Sequence, residues 1–399
     1  MNSVTKSSLS VPFDAARLDR LMDDAGIDVL LVTSKHNVQY LLGGHRAFFF
    51  DYMDAFGISR YLPVLVYPKG APDKAAYIGH GMEGYQHQVK PLWTPLVQTN
   101  GAGSVDSMEK AVAHVKKLGL RSKRVGVESA FLPLDAAAAL NRDLPGAEVV
   151  DGLFVLERLR AVKTPEELDL LRIASDRVIE AMLAVFAGHG PGTTKNVLTE
   201  ALRREEVNRG LTFEYCLITA GASHNRAPSD QRWEQGEVLS LDSGGNYQGY
   251  IGDLCRMGIM GEPDAELEDL LNEIEVIQRA AMEPIKHGAI GGEIYVTGEA
   301  ALRNASQRNH TQFLAHGMGL VTHEAPRLTS RGPVRYPGYD ADKPLEAGMV
   351  VSVETTMQHP KRGFIKLEDT VVVTKDGYEM YGEAGRGWNR GGMAVLRGA

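Results

Sequence analysis

The chain has 399 residues, 43% hydrophobic and 24% charged, with a formal net charge of -8. That length exceeds the size at which one hydrophobic core stops growing, so two domains are expected, and the composition excludes a fibrous or disordered chain. The acidic balance argues against a nucleic-acid partner, which needs clustered Lys and Arg, and only two cysteines, Cys216 and Cys255, exclude a disulfide framework.

Residues 1–10 are polar and Ser-rich without an apolar centre, so they do not read as a secretory signal. No apolar run approaches the roughly 18 residues that a membrane span needs, and a cytoplasmic address is expected. Helical spacing of apolar residues predicts a helix over 14–25 that Gly26 ends, followed by a buried strand over 28–33. Strands over 62–67, 74–78 and 124–128 and helices over 107–117 and 134–140 extend the alternation into an α/β domain covering 1–162. No phosphate-cradling glycine loop follows any of these strands.

A second domain, 163–399, opens at Thr164-Pro165-Glu166-Glu167, where an N-cap, a first-turn Pro and a Glu three residues after the cap start a helix that runs to about Phe186. A helix over 194–208 and strands over 215–220, 237–242 and 253–260 follow. The order then recurs, with helices over 263–286 and 293–307 and strands over 350–355 and 364–373, which points to an internal pseudo-repeat.

The chemistry-bearing residues gather in this second domain. Asp242 and Asp253 stand eleven residues apart at strand boundaries, a spacing that fits a hairpin; Asp242 in its glycine-rich segment also fits a turn residue. His316 and His323 lie seven apart in a Gly-rich segment read as irregular, where flanking glycines let the backbone approach a ligand closely. Glu354 closes an apolar strand and Glu368 lies inside another, so each needs a cation or a salt-bridge partner. Four carboxylates and one imidazole form a ligand set suited to two divalent ions such as Mn, Co, Zn or Fe, and a metal-activated water is hydrolytic chemistry.

Taken in order, the Asp-x-Gly and Gly-Tyr-x-x-Asp segments, His-Gly-x-Gly with His-Glu after it, Gly-Met-Val-x-x-x-Glu and Leu-Glu-Asp-Thr resemble the pita-bread family of aminopeptidase P, prolidase and creatinase. The first domain, with Asn37-Val38-Gln39-Tyr40-Leu41, resembles the creatinase-type N-terminal α/β domain, so the resemblance covers essentially the whole chain. It implies a C-terminal pita-bread domain with a pseudo-twofold repeat. It also implies that Asp242 binds one metal, that Asp253 and Glu368 bridge both, and that His316 and Glu354 bind the other. His323 becomes a substrate-contacting or proton-handling residue, and a homodimer is expected.

Two positions depart from the family's peptidases. Where these carry a substrate-binding histidine, the chain has Asn225, with His224 beside it, and two residues before Glu368 it has Lys366 in place of Arg. His323, His224 and Lys366 are therefore the candidate catalytic residues, and Asn225 and Arg226 the candidate substrate contacts, Arg226 through a substrate carboxylate. The resemblance implies a metal-dependent hydrolase of a small peptide or amide, Xaa-Pro by first preference. The alternatives are a creatinase-, ectoine hydrolase- or dimethylsulfoniopropionate lyase-like enzyme, and an inactive binding protein on the same fold. The aromatic segment 47–61 is expected in the core, at a dimer contact or along the substrate site.

Overall fold

The computed structural model describes residues 10–47, 50, 52–119, 124–331 and 336–392, which form two compact units, Met1–Arg160 and Ala161–Ala399. The N-terminal lead-in 1–9, Phe48 and Phe49 of the aromatic segment, and the end of the Gly-rich tail from 393 onward lie outside the described residues.

The first unit is an α/β domain that contains, in chain order, α1 (Ala15–Asp24), β1 (Val29–Val32), α2 (Lys35–Leu41), α3 (Met53–Phe56), β2 (Val64–Pro68), β3 (Ala76–His80), α4 (Glu83–Val89), β4 (Leu96–Gly101), α5 (Ser104–Lys117), β5 (Arg124–Val127), α6 (Leu134–Asp143), β6 (Glu148–Asp151) and α7 (Leu153–Arg160). Its mixed sheet has the order β4-β3-β2-β1-β5-β6. Central β1 is buried throughout: Val29 and Leu31 feed the core on one face, and Leu30 and Val32 the core on the other, which explains its unbroken apolar run. Buried Glu128, just past β5, accepts hydrogen bonds from Thr33 N–H (2.6 Å), Ser34 N–H (2.8 Å) and Asn37 Nδ2 (2.6 Å), and so ties that strand end to the start of α2. In the aromatic segment Phe50 joins the core, while Tyr52 and Phe56 are exposed.

The second unit contains α8 (Pro165–Gly188), β7 (Thr193–Thr194), α9 (Lys195–Asn208), β8 (Thr212–Ala220), β9 (Arg232–Trp233), β10 (Val238–Tyr247), β11 (Tyr250–Ile259), α10 (Ala265–Met282), α11 (Glu293–Asn304), β12 (Thr311–Gly317), β13 (Val350–His359), β14 (Gly363–Val373), β15 (Tyr378–Tyr381) and β16 (Asn389–Arg390). The capping box at α8 is formed in full: Thr164 Oγ1 accepts from Glu167 N–H, and the Glu167 carboxylate accepts from Thr164 N–H. The linker belongs to this unit, since Val162 bridges to Met349 and Lys163 N–H donates to Gly348 O.

The main sheet runs β12-β13-β14-β11-β10-β8, with β15 on β14 and β16 on β11. Helix pair α8 and α9 followed by β8, β10 and β11 is answered by α10 and α11 followed by β12, β13 and β14, and the two sets meet where β11 adjoins β14. This is the pseudo-twofold pita-bread arrangement.

Three local expectations are corrected. The Asp242-Ser243-Gly244-Gly245-Asn246 segment is continuous β-strand, because the β10–β11 ladder runs on to Tyr247 and Tyr250 and closes through Gln248 (φ 53) and Gly249 (φ 102), whose positive φ values suit a two-residue hairpin. Gly244 serves clearance instead: a Cβ there would stand 2.3 Å from the Tyr215 ring. Likewise His316 lies on β12, and Glu354 lies within β13, which continues to His359.

Behind β10, fully buried Glu206 of α9 accepts a 2.8 Å hydrogen bond from Ser243 Oγ on Oε1, while Oε2 has no hydrogen-bond partner. Burial pushes the carboxyl up to about 7. Between the ordinary carboxylate range and 7 the folded chain therefore holds a proton that the unfolded chain has released, and stability falls as pH rises through that window. Glu206→Gln is expected to raise the thermal midpoint at about pH 8 while changing it little at about pH 5, an effect on the order of 2–3 kcal/mol. Equal shifts at the two pH values would count against this assignment.

Candidate metal centre

Directly paired residues of neighbouring strands share a face, and the register gathers the ligand set by that rule. Asp242 pairs with Cys255, Cys255 with Glu368 and Glu368 with Glu354, a single row across β10, β11, β14 and β13. The period of two adds Asp253 and Lys366 to the same face, and His316 joins it opposite Ser352, two residues before Glu354.

The row is buried and densely charged. Lys366 Nζ lies 2.7 Å from Asp242 Oδ2 and 2.8 Å from Glu368 Oε2, and also pairs with Glu354. Arg226 pairs with the same Asp242 oxygen and lays its guanidinium 5.1 Å from the Phe364 ring centroid. Tyr215 donates to Asp253 Oδ1 at 2.5 Å, and Ser352 Oγ donates to Glu368 Oε1 at 2.8 Å.

These surroundings set the protonation states. Burial, then repulsion from Glu368 and Asp242, holds Asp253 well above the usual carboxylate range; burial also raises Asp242 and Glu354. Burial acts on Glu368 in the same sense, but Lys366 and His316 outweigh it and bring that carboxyl below its ordinary value. His316 loses to burial and gains more from Glu368, Glu354 and Asp253, which hold it up at about 9. His323 stacks on it, with ring centroids 3.8 Å apart, and burial followed by the His316 charge pushes it down to about 4, so it is a neutral imidazole at neutral pH.

Asp253, His316 and Glu368 offer one donor atom each within 4.8 Å of one another. Among the described residues His316 Nε2 is buried and makes no hydrogen bond, Glu368 Oε1 standing 3.6 Å away, while Nδ1 lies 3.3 Å from Gly317 O. Once it loses its extra proton, a ring that donates through Nδ1 to a carbonyl presents its Nε2 lone pair to a cation, so the residues fit a divalent metal ion that displaces that proton.

Not every candidate joins the cluster. The His224 Nε2 contact is with the His359 carbonyl oxygen, 3.3 Å away at the end of β13. Asn225 serves its own loop, its side chain accepting from Ala227 N–H and its carbonyl accepting from Lys195 Nζ at 2.6 Å. Arg226 is the member of that segment that reaches the carboxylates. Cys255 sits in the row as a fully buried thiol raised by burial and by Asp242, and Cys216 is likewise buried and free. The glycine after His316 approaches protein, not ligand: a Cβ on Gly317 would stand 2.3 Å from the Ala325 carbonyl carbon.

Tyr215 and Ser352 escaped the sequence reading, as did the buried Lys163–Glu324 ion pair (3.2 Å) beside the His323 loop. The signal for Tyr215 was Gly244, the empty position directly opposite it. Tyr215→Phe is expected to weaken metal binding about 10–100-fold, because a ligand's hydrogen-bond partner fixes its orientation. Calorimetric titration checks this, and unchanged affinity would remove Tyr215 from the site. Next to the cluster lies a cleft of about 720 Å³ whose lining includes Arg226, Phe313, Arg331, Glu354 and Phe364.

Residues 169–375 match the model of metallopeptidase family M24, and residues 15–162 match that of the creatinase/prolidase N-terminal domain. The uncharacterized peptidase YqhT of Bacillus subtilis (strain 168) is 26% identical over 371 residues, covering 90% of this chain and 95% of that protein. A Xaa-Pro dipeptidase of Pyrococcus horikoshii is 23% identical over 374 residues, covering 90% and 94%. The solved structure of a Xaa-Pro dipeptidase from Bacillus anthracis superposes with a TM-score of 0.79 at 24% identity, over 94% of this chain and 98% of that one.

Proposed function

We propose, for a chain that belongs to metallopeptidase family M24, that it hydrolyses short peptides at a divalent-metal centre, with Xaa-Pro dipeptides or short Xaa-Pro peptides as its substrates. The observation that carries this reading is the buried Nε2 of His316, without a hydrogen bond among the described residues, beside Asp253 and Glu368 in a row whose Glu354 also lines a cleft large enough for a dipeptide. The donor set is oxygen-rich with one imidazole and suits two divalent ions, Mn, Co, Zn or Fe among the suitable ones. A bound ion supplies a Lewis acid and a water of lowered pKa.

The protein's own groups do the rest. His323, kept neutral by burial, donates a hydrogen bond to the developing oxyanion. Arg226, with 37% of its side chain exposed in the cleft, receives a substrate carboxylate. Phe313 and Phe364 supply apolar walls that suit a proline ring. A homodimer and a reducing compartment belong to the same reading, the first from the family resemblance and the second from two buried free thiols.

Lys366 and Asn225 favour a second reading, a small amide or osmolyte as substrate, because both stand where the family's peptidases carry other residues. Metal-stripped protein assayed on Xaa-Pro dipeptides, longer Xaa-Pro peptides and small amides, before and after Mn, Co, Zn or Fe is restored, separates the two. Metal-dependent release of an amino acid from a peptide is the expected result. Turnover of small compounds alone would replace the substrate, and activity indifferent to metal would overturn the metal centre.

A further inference from the structure

The loop between β8 and β9 carries Arg226 to the cleft, and the first turn of α9 holds that loop at both ends. Lys195 N–H donates to Gln231 O (2.9 Å) and Asn196 N–H to Ser229 O (3.0 Å), which fixes the far end. The near end is fixed by a side chain. Lys195 is fully buried, and its Nζ donates at 2.6 Å to the carbonyl oxygen of Asn225, the residue before Arg226. The Arg226 carbonyl in turn accepts from Ile218 N–H of β8 at 2.8 Å. The peptide groups on either side of the Arg226 Cα are therefore both gripped.

A buried ammonium that meets one neutral carbonyl and, among the described residues, no carboxylate has given up its hydration for a single bond, and burial lowers it from its ordinary value. An apolar side chain would fill the same space without that penalty, so what distinguishes lysine here is the carbonyl it reaches. The arginine so presented has donors to spare. Its Nη2 pairs with Asp242, its guanidinium lies 5.1 Å from the Phe364 ring centroid, and its Nε is buried without a hydrogen bond among the described residues. A carboxylate takes two parallel N–H groups of a guanidinium held in one place, and a misplacement of about 1 Å is enough to cost roughly a hundredfold.

We propose that Lys195 is a positioning residue for substrate recognition: by clamping the Asn225 carbonyl it sets where Arg226 stands beside the metal row, and so governs the preference for substrates with a free carboxylate. The inference rests on the reading of Arg226 as the carboxylate contact given above. Lys195, with no exposed surface, acts through Arg226 and touches no substrate itself.

The test sets a free acid against its amide. Full-length protein supplied with Mn(II) is assayed on Ala-Pro and on its C-terminal amide, as wild type, Lys195→Met, Arg226→Met and the double variant. The wild type is expected to favour the free acid, and Arg226→Met to lose that preference. Lys195→Met is expected to raise KM for the free acid about tenfold or more, to leave kcat and the KM of the amide within about twofold, and to add nothing in the Arg226→Met background. A merely structural lysine would lower turnover of both substrates alike. Hydrogen exchange on the same proteins without substrate is expected to quicken in Lys195→Met at Ile218 N–H, which reports on the Arg226 carbonyl, and across 223–227. Lys195→Gln, one bond shorter than lysine, serves if Lys195→Met does not fold. A retained preference, an equal loss on both substrates or unchanged exchange in the folded variant would each overturn the proposal and leave Arg226 as the carboxylate contact. A wild type without the preference, or a preference that survives Arg226→Met, would instead overturn the Arg226 reading. Turnover of neither substrate would overturn the peptide reading, and the exchange result would still decide whether Lys195 holds the loop.

Discussion

Glu368→Gln is expected to release the bound divalent ion and to lower metal-supported turnover by about a thousand-fold or more, equivalent to roughly 4 kcal/mol of lost transition-state stabilisation. Glu368 is the most connected acid of the cluster. It lies 3.6 Å from His316 Nε2 and 2.8 Å from Lys366 Nζ, and it accepts from Ser352 Oγ. Asp242, Asp253 and Glu354 are raised, whereas Glu368 is held below its ordinary value, so it contributes a full negative charge where Asp253 tends to keep its proton. The substitution preserves shape and removes that charge. Calorimetric metal titration and steady-state kinetics on the same preparation check both halves of the expectation, and retention of tight metal binding would show that Glu368 is not a ligand.

The second large effect concerns stability. Arg256 is fully buried on the opposite face of β11. It donates to Asp369 Oδ1 (2.6 Å) and to the carbonyls of Cys255 (2.8 Å), Glu368 (2.9 Å), Gly382 (2.5 Å) and Ala384 (2.8 Å). Asp369 also accepts from Gln278 Nε2 and pairs with Arg386. Arg256→Met leaves several buried acceptors without donors and one buried carboxylate short of a cation, and is expected to cost about 3–5 kcal/mol. Denaturant unfolding followed by circular dichroism measures it, and a loss under about 1 kcal/mol would mean that Arg386 alone satisfies Asp369.

Much of this was legible in the sequence because the signals were local. The capping box at Thr164, the stripe of α8 and the apolar run of β1 each reflect physics that acts within a few residues. Glycine misled where its purpose was clearance: Gly244 and Gly317 read as irregular backbone, yet each sits in a strand and makes room for a neighbour, the Tyr215 ring and the Ala325 backbone. Strands β4 and β6 and helices α2, α4 and α7 escaped the reading; β4 is largely half-buried, β6 is largely exposed, and neither has a long apolar run.

For the site, the acids and the histidine announced themselves by chemistry, since charge inside an apolar strand demands a partner. Which partner each one found was not legible. Lys366 read as a departure that keeps the charge of Arg and loses its planar fork, and its place among three carboxylates follows from the register of β13, β14, β11 and β10, which no short stretch of sequence encodes. Tyr215 escaped for the same reason, since only the register shows that Gly244 stands opposite it.

The seam between β11 and β14 has a mechanical consequence. Asp253 comes from the first half-repeat, His316 and Glu368 from the second, and the ladder across that seam is represented by the Cys255–Glu368 pair. An ion held by those three side chains would act as a further rivet between halves already tied by the Arg256–Asp369 and Lys366–Asp242 pairs, and the opening that needs the halves to part would be suppressed in proportion to how tightly it binds. Amide hydrogens flanking the seam would then exchange with solvent more slowly once metal is added, while those at the outer strands β8 and β12 would keep their rates.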